Sequence, residues 1–236
     1  MLELKNVSTQ YGQIPILMNV SINLEAGEAV CLLGANGAGK TTLLKTILGM
    51  VKPVSGEVVF NGQVISKLPP HQIIKSGIAI VPEREGLFPK LSLENNLLMG
   101  AYYEEDKAKI QERVKEVFKI FPWIEKRIHQ KAGTLSGGER KMLGVARALL
   151  ANPQVMLMDE PSLGLAPATV NEVFTVIQNI KKEKNIALLI IEQNAQKALS
   201  VVERGYVLQK GSIIVQGTSE ELYNDDFVQK SYLCVD

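Results

Sequence analysis

The segment Gly34-Ala35-Asn36-Gly37-Ala38-Gly39-Lys40-Thr41 constrains the fold more than any other stretch of the chain. It matches G-x-x-x-x-G-K-[ST], and its flanks are those the motif requires. Before it, Ala29–Leu33 is a continuous apolar run, which reads as a strand buried on both faces. After it, Leu43, Leu44, Ile47 and Leu48 fall on one face of a helix. Gly34, Gly37 and Gly39 let backbone N–H groups curl around phosphate oxygens without Cβ clashes. The new helix points its positive end at the same anion. Lys40 can reach β- and γ-phosphates, and the Thr41 hydroxyl can ligate Mg²⁺. Thr42 offers a second hydroxyl, which either joins the site or satisfies backbone in the first turn.

The rest of the chain alternates in a way that suits this unit. Leu2 and Leu4, then Val20, Ile22 and Leu24, alternate with polar residues and predict half-buried strands. Val58–Phe60, Asn61-Gly62 and Val64 predict a hairpin with a tight turn. Ile78–Val81, Val155–Met158 and Ile186–Ile191 predict further buried strands. Val173, Val176, Ile177 and Ile180 predict a helix between the last two. Tyr206–Val215 predicts a closing hairpin turned at Lys210-Gly211, and Thr218 with Glu221 predicts a helix-capping box. Strands alternating with helices imply an α/β fold with a mostly parallel sheet covered on both faces. From Ser92 to Leu150 the pattern is helical only, which implies an inserted helical subdomain. The expected division is 1–83 and 153–236 as catalytic core with a β-subdomain, and 84–152 as the insertion.

Composition excludes several classes. The 236 residues carry 26 basic and 25 acidic side chains, a net charge of +1, which gives no electrostatic case for nucleic acid. No apolar run approaches the ~20 residues of a membrane span, and Met1–Gln10 lacks the pattern of a signal peptide. Cys31 and Cys234 do not form a disulfide framework and suit a reducing cytosol. Cys31 reads as a core residue.

Two more segments carry chemistry. Val155–Met158 ends in Asp159-Glu160-Pro161. Adjacent anions at the carboxyl end of a buried strand are unfavourable unless a cation or a reaction uses them. Asp159 suits Mg²⁺, and Glu160 suits the base that activates or orients a water. Leu135-Ser136-Gly137-Gly138-Glu139-Arg140 opens another helix, where Ser136 and Glu139 form a capping box. Two first-turn glycines cost about 1 kcal/mol each relative to alanine. Gly137 and Gly138 therefore imply that something approaches the backbone closely there.

The phosphate loop, then Leu-Ser-Gly-Gly-Glu-Arg, then apolar-Asp-Glu, in this order, resemble the ATP-binding subunit of an ABC transporter over essentially the whole chain. The resemblance implies a P-loop ATPase core with an antiparallel β-subdomain, an inserted helical subdomain and a head-to-tail dimer. Two ATP molecules would lie between the Lys40 loop of one chain and Ser136–Gly138 of the other. It implies that Tyr11 stacks on adenine, that Glu160 is catalytic with Lys40, and that Ser162-Leu163-Gly164-Leu165 meets its counterpart across the dimer. Two positions depart from most of the family: Glu83 stands where Gln is usual, and Gln193 where His is usual. Gln193 can hydrogen-bond a γ-phosphate but cannot become cationic. Glu83 can hold Mg²⁺ or water.

Val81-Pro82-Glu83, Leu87-Phe88-Pro89, Pro161–Pro167 and Ile191-Glu192-Gln193-Asn194-Ala195 resemble the shorter ATPase subunit of branched-chain amino acid importers. Glu83-Arg84-Glu85-Gly86 has its glycine later than is usual there. The resemblance implies a peripheral protein at the cytoplasmic face of the cell membrane. Its partners would be two permease subunits, a second copy or a different ATPase subunit, and an external solute-binding protein. Leu87 and Phe88 are candidate permease contacts. Urea or amide importers, lipid exporters, and cytosolic ABC ATPases acting on ribosomes or DNA are the alternatives.

Overall fold

Alternation along the first strands gathers Leu2, Leu4 and Val7 with Leu17, Val20, Ile22 and Leu24 into one buried face. The computed structural model describes residues 1–84 and 86–233, so Glu85 and Cys234 lie outside the described residues. The chain runs β1 (Leu2–Tyr11), β2 (Ile14–Leu24), β3 (Ala29–Leu33), α1 (Lys40–Ile47), β4 (Ser55–Phe60), β5 (Gln63–Val64), α2 (Pro70–Lys75) and β6 (Ile78–Val81). A helical stretch follows with α3 (Leu93–Leu98), α4 (Lys107–Ile120), α5 (Pro122–Lys126) and α6 (Gly137–Leu150). It returns through β7 (Val155–Asp159), α7 (Pro167–Lys184), β8 (Ala187–Glu192), α8 (Ala195–Leu199), β9 (Arg204–Gln209), β10 (Ser212–Thr218) and α9 (Ser219–Asn224).

The strands form two sheets. One has the order β2-β1-β4-β5 and is antiparallel throughout. The other has the order β10-β9-β3-β8-β7-β6, and only β10 runs antiparallel to its neighbour. All residues of β3, β7 and β8 are buried, as a strand covered on both faces must be. Their side chains still alternate. Val30 and Leu32 face a cluster with Leu4, Val20, Leu43 and Ile47, which joins the antiparallel sheet and α1 to one face. Cys31 and Leu33 join the opposite cluster, with Met156, Met158, Val173 and Ile177. Burial pushes the Cys31 thiol up to about 12, so it is an inert core group.

The expected hairpins are present, with Asn61 and Gly62 at φ +50° and +78°, and Lys210 and Gly211 at +46° and +83°. Both arms of the Thr218–Glu221 capping box form. The helical stretch contains no strand among the described residues, only an isolated bridge between Ser92 and Lys131. Its apolar residues Leu93, Leu97, Phe121, Ile124 and Leu143 belong to the same cluster as Cys31 and Met158. The helical segment thus shares one core with a sheet face.

Candidate nucleotide site

Four neighbouring strands end at one edge of the parallel sheet. β3 runs into Gly34, β8 into Gln193, β7 into Glu160, and β6 through Pro82 into Glu83. Ligands of open α/β sheets bind beyond this edge. A cleft of about 510 Å³ opens here, lined by Asn36, Gly37, Gly39, Lys40, Thr41, Thr42, Glu83, Glu160 and Gln193. Ile16 of β2 and Leu163 complete the lining.

The loop geometry follows from its glycines. Gly37 and Gly39 adopt φ of +81° and +113°, a region that other residues enter at a cost. A Cβ on Gly34 would stand 2.7 Å from the Leu208 carbonyl oxygen. The first-turn N–H groups of α1 have no intrahelical acceptor, and no acidic side chain lies among them. They remain as donors for an anion.

The side chains of the cleft form one connected set. The Lys40 ammonium is buried and donates to the carbonyls of Gly34 at 2.7 Å and Ala35 at 3.1 Å. It lies 3.4 Å from Glu160 Oε1. Gln193 Nε2 donates to both Glu160 oxygens, at 2.8 and 2.9 Å, and to Asn36 Oδ1 at 2.8 Å. Gln193 thereby ties the carboxylate after β7 to the loop after β3. Glu160 itself has φ +46°, a left-handed conformation that costs a non-glycine residue on the order of 1 kcal/mol. Its N–H donates to the Ile191 carbonyl at 2.8 Å, and its carbonyl accepts from Leu163 at 3.1 Å.

Asp159 is 8% exposed, and its carboxyl is pushed up to about 6. Burial is the main cause, followed by the charges of Glu160 and Glu83, while Lys40 and Lys141 pull it back. Lys141 of α6 is fully buried and donates to the Glu83 carbonyl at 2.7 Å. Sequence reasoning missed this lysine; a charged residue facing the core from Met142 and Leu143 was its only signal. Among the described residues, no three His, Cys, Asp or Glu side chains converge as a metal site. Mg²⁺ commonly takes one or two carboxylates and fills its shell with phosphate oxygens and water. Thr41 and Glu83 line the cleft, while Asp159 is not among its lining residues and is coupled to it through the charges of Glu160, Glu83 and Lys40; the hydroxyl and carboxylates are the hard-oxygen groups such an ion takes.

Other expected site residues lie elsewhere. Ser136 and Gly138 line a separate depression with Phe121, Trp123 and Thr169. Both arms of the Ser136–Glu139 capping box form, and Arg127 pairs with Glu139. Gly138 has an internal reason to lack a side chain: its Cβ would come within 2.2 Å of Thr169 Cγ2 of α7. Gly137 has no such reason, since its nearest neighbour would be Leu165 at 3.6 Å. Tyr11 ends β1, is half exposed and does not line the cleft. Leu87 packs against the core, while Phe88 is 48% exposed. Phe88 lines a groove of about 560 Å³ with Met99, Tyr102, Tyr103 and Arg147.

Comparison with known proteins gives a consistent picture. The family model described as ABC transporter matches residues 17–163. The high-affinity branched-chain amino acid transport ATP-binding protein BraG of Pseudomonas aeruginosa is 41% identical over 233 residues, covering 99% of both chains. The probable branched-chain amino acid transport ATP-binding protein LivF of Archaeoglobus fulgidus is 36% identical, covering 100% of this chain and 98% of that one. The lipopolysaccharide export ATP-binding protein LptB of Haemophilus influenzae is 35% identical, over 97% and 95%. Among solved structures, the ADP conformation of MJ1267, an ATP-binding cassette of an ABC transporter, superposes with a TM-score of 0.88. It is 27% identical and covers 99% of this chain and 98% of its own. A dimeric bacterial ABC transporter cassette, MJ0796, gives 0.82 at 26% identity, over 93% and 99%.

Proposed function

The chain belongs to the ABC transporter family of ATP-binding subunits, and from that premise we propose that it is the ATPase of an importer for branched-chain amino acids. It binds and hydrolyses ATP. The bonded set Asn36–Gln193–Glu160–Lys40 carries the assignment of roles, because it joins a phosphate loop to a buried carboxylate at one sheet edge. Lys40 and the first-turn N–H groups of α1 hold the β- and γ-phosphates. Glu160 accepts the proton of a water that attacks the γ-phosphorus, and the bond to the bridging oxygen breaks to release ADP. Gln193 orients that water and the γ-phosphate as a neutral donor. Thr41, Asp159 and Glu83 would hold Mg²⁺, which neutralises phosphate charge when bound.

The second half of the site comes from another ATPase subunit, presenting Ser136, Gly137 and Gly138. Gly137 supports this, since a Cβ there would meet only ordinary contacts with Leu165 and Arg140, and nothing within the chain requires glycine. Tyr11, exposed at the end of β1, stacks on the adenine. The groove at Phe88, Met99, Tyr102 and Tyr103 receives a permease segment. No helix among the described residues is long and apolar enough to cross a membrane. As an importer ATPase the chain attaches peripherally at the cytoplasmic face through two permease subunits, a reading supported by its similarity to BraG and LivF. The 41% identity to BraG over full length supports the solute class.

The test uses a tagged Glu160→Gln variant, extracted from native membranes in mild detergent with ATP. Intact ATP binding, near-absent turnover, and co-purification of two polytopic subunits with a second ATPase are expected. Normal turnover would overturn the role of Glu160. Purely soluble partners would overturn the transport reading. Polytopic partners of an export system would move the assignment to lipid export.

A further inference from the structure

Glu192 ends β8 inside the sheet edge, 2% exposed. Nothing in the roles above uses it. Its carboxylate accepts from backbone on both sides of the site. Oε1 takes the Ser162 N–H at 2.8 Å, two residues beyond Glu160. Oε2 takes the N–H groups of Gln193 at 3.2 Å and Asn194 at 3.4 Å. A buried charge is costly unless hydrogen-bonded, and these donors are what make it tolerable. Burial pushes its carboxyl above the usual carboxylate range, and the Ser162 side chain with these backbone N–H groups pulls it back.

The consequence is geometric. One rigid planar group fixes the backbone after β7 relative to the backbone after β8. The side chains that depart from those two stretches are Glu160 and Gln193, which meet at 2.8 and 2.9 Å. Glu160 also sits in a left-handed conformation, which persists only where its surroundings over-determine it. We infer that Glu192 is a positioning residue for hydrolysis, whose carboxylate sets the placement of the Gln193 amide against the Glu160 carboxylate. This rests on the proposed roles of Gln193 and Glu160.

Glu192→Gln keeps the length and shape of the side chain but turns one acceptor arm into a donor facing an N–H. The experiment is a cycle of E192Q, Q193A and the double variant. It reads kcat, KM for ATP, and the affinity for a fluorescent ATP analogue without turnover. E192Q is expected to lower kcat about tenfold, a barrier change of about 1.4 kcal/mol. Analogue affinity and KM should stay within about twofold, which a general loss of structure would not allow. Q193A lowers kcat in its own right, and adding E192Q to it should change kcat by less than about twofold, because the group being positioned is gone. Wild-type kcat in E192Q would overturn the inference. So would full additivity in the double variant, because Glu192 would then act independently of Gln193. A silent Q193A would remove the role of Gln193 itself, and that single variant separates the two failures. If E192Q weakens analogue binding and so reports misfolding, E192D carries the same cycle. Its carboxylate is one methylene too short to span both loops.

Discussion

Replacing Gly138 by alanine tests what the two glycines at the start of α6 are for. An alanine Cβ at this position would stand 2.2 Å from Thr169 Cγ2 and 3.5 Å from Thr169 Cβ. Normal van der Waals contact between carbons lies near ~3.5–4 Å, so the overlap exceeds 1 Å by roughly a third. Thr169 is β-branched and in the first turn of α7, where its χ1 has few alternatives. Thr divides between two χ1 rotamers in a helix, so relief takes a rotation of Thr169 or a separation of α6 and α7, and overpacking of this kind costs about 1–3 kcal/mol. Alanine returns up to about 1 kcal/mol through helix propensity. With the full return the net loss is about 0–2 kcal/mol, or up to roughly 8 °C in Tm for a chain of this size. Thr169→Ser removes Cγ2, so G138A/T169S should recover most of that loss. Thermal unfolding measures both, and ATPase activity is read on the same samples. A G138A variant more stable than wild type, or a double variant no better than the single, would refute the packing argument. If the double variant recovers Tm but not turnover, Gly138 has a second reason to be glycine, namely approach from another subunit.

Other outcomes follow from the electrostatics and the surface. Asp159 titrates at about 6 in the folded chain against a usual value of 3.8, mainly through burial. Its folded form therefore binds the extra proton between those values, so stability falls as pH rises from about 4 to about 6. The loss is about 2 kcal/mol once solvent screening is allowed for. Denaturation midpoints of wild type and Asp159→Asn across that window should diverge, and parallel curves would contradict the assignment. Lys141→Met leaves the Glu83 carbonyl without its ammonium donor and removes a charge that steadies Asp159. It should cost about 1–3 kcal/mol, visible as a lower Tm. Phe88→Asp alters an exposed side chain, so Tm and the ATPase rate of the isolated chain should hold while recovery of permease subunits falls.

The strands, the helix after the phosphate loop and the hairpins were legible because each obeys a local rule. Ala29–Leu33 is apolar throughout because both faces are covered, and Asn61-Gly62 turns because both residues tolerate positive φ. The meeting of Lys40 and Glu160 was legible from the phosphate loop and a strand end, since parallel strands deliver their carboxyl ends to one edge, whereas Gln193 and Glu83 came through the family resemblance. What stayed hidden depends on contacts distant in sequence. Gly137 and Gly138 read alike, yet only Gly138 meets Thr169. Leu87 and Phe88 read as a pair, yet one packs inward and the other faces a groove. Glu192 follows an apolar run as an apparent end-of-strand charge, and only the fold shows three backbone amides converging on it. The helical stretch reads as a separate unit by its periodicity, but periodicity carries no information about which sheet face completes its core.

The two sides of the cleft are organised by different means, and this bears on how ATP binding energy is used. On the loop side, shape comes first from backbone: Gly34, Gly37 and Gly39 permit the curve, and Lys40 ties it by donating to two of its carbonyls. On the carboxylate side, shape comes from side chains, with Gln193 holding Glu160 and Lys40 completing the pair. Lys40 already donates to two carbonyls, and Gln193 already donates to Asn36 and Glu160. A triphosphate entering this cleft would therefore exchange hydrogen bonds more than add them, and the net gain from each is small. Lys40 exchanges neutral carbonyls for a phosphate anion, which strengthens its contact. Gln193 would exchange a carboxylate for a phosphate, one anion for another, and gain little. Ground-state binding should then depend mainly on Lys40, while Gln193 is left to act on the barrier. Lys40→Met should accordingly weaken ATP binding itself, whereas Gln193→Ala should leave affinity within about twofold and lower kcat.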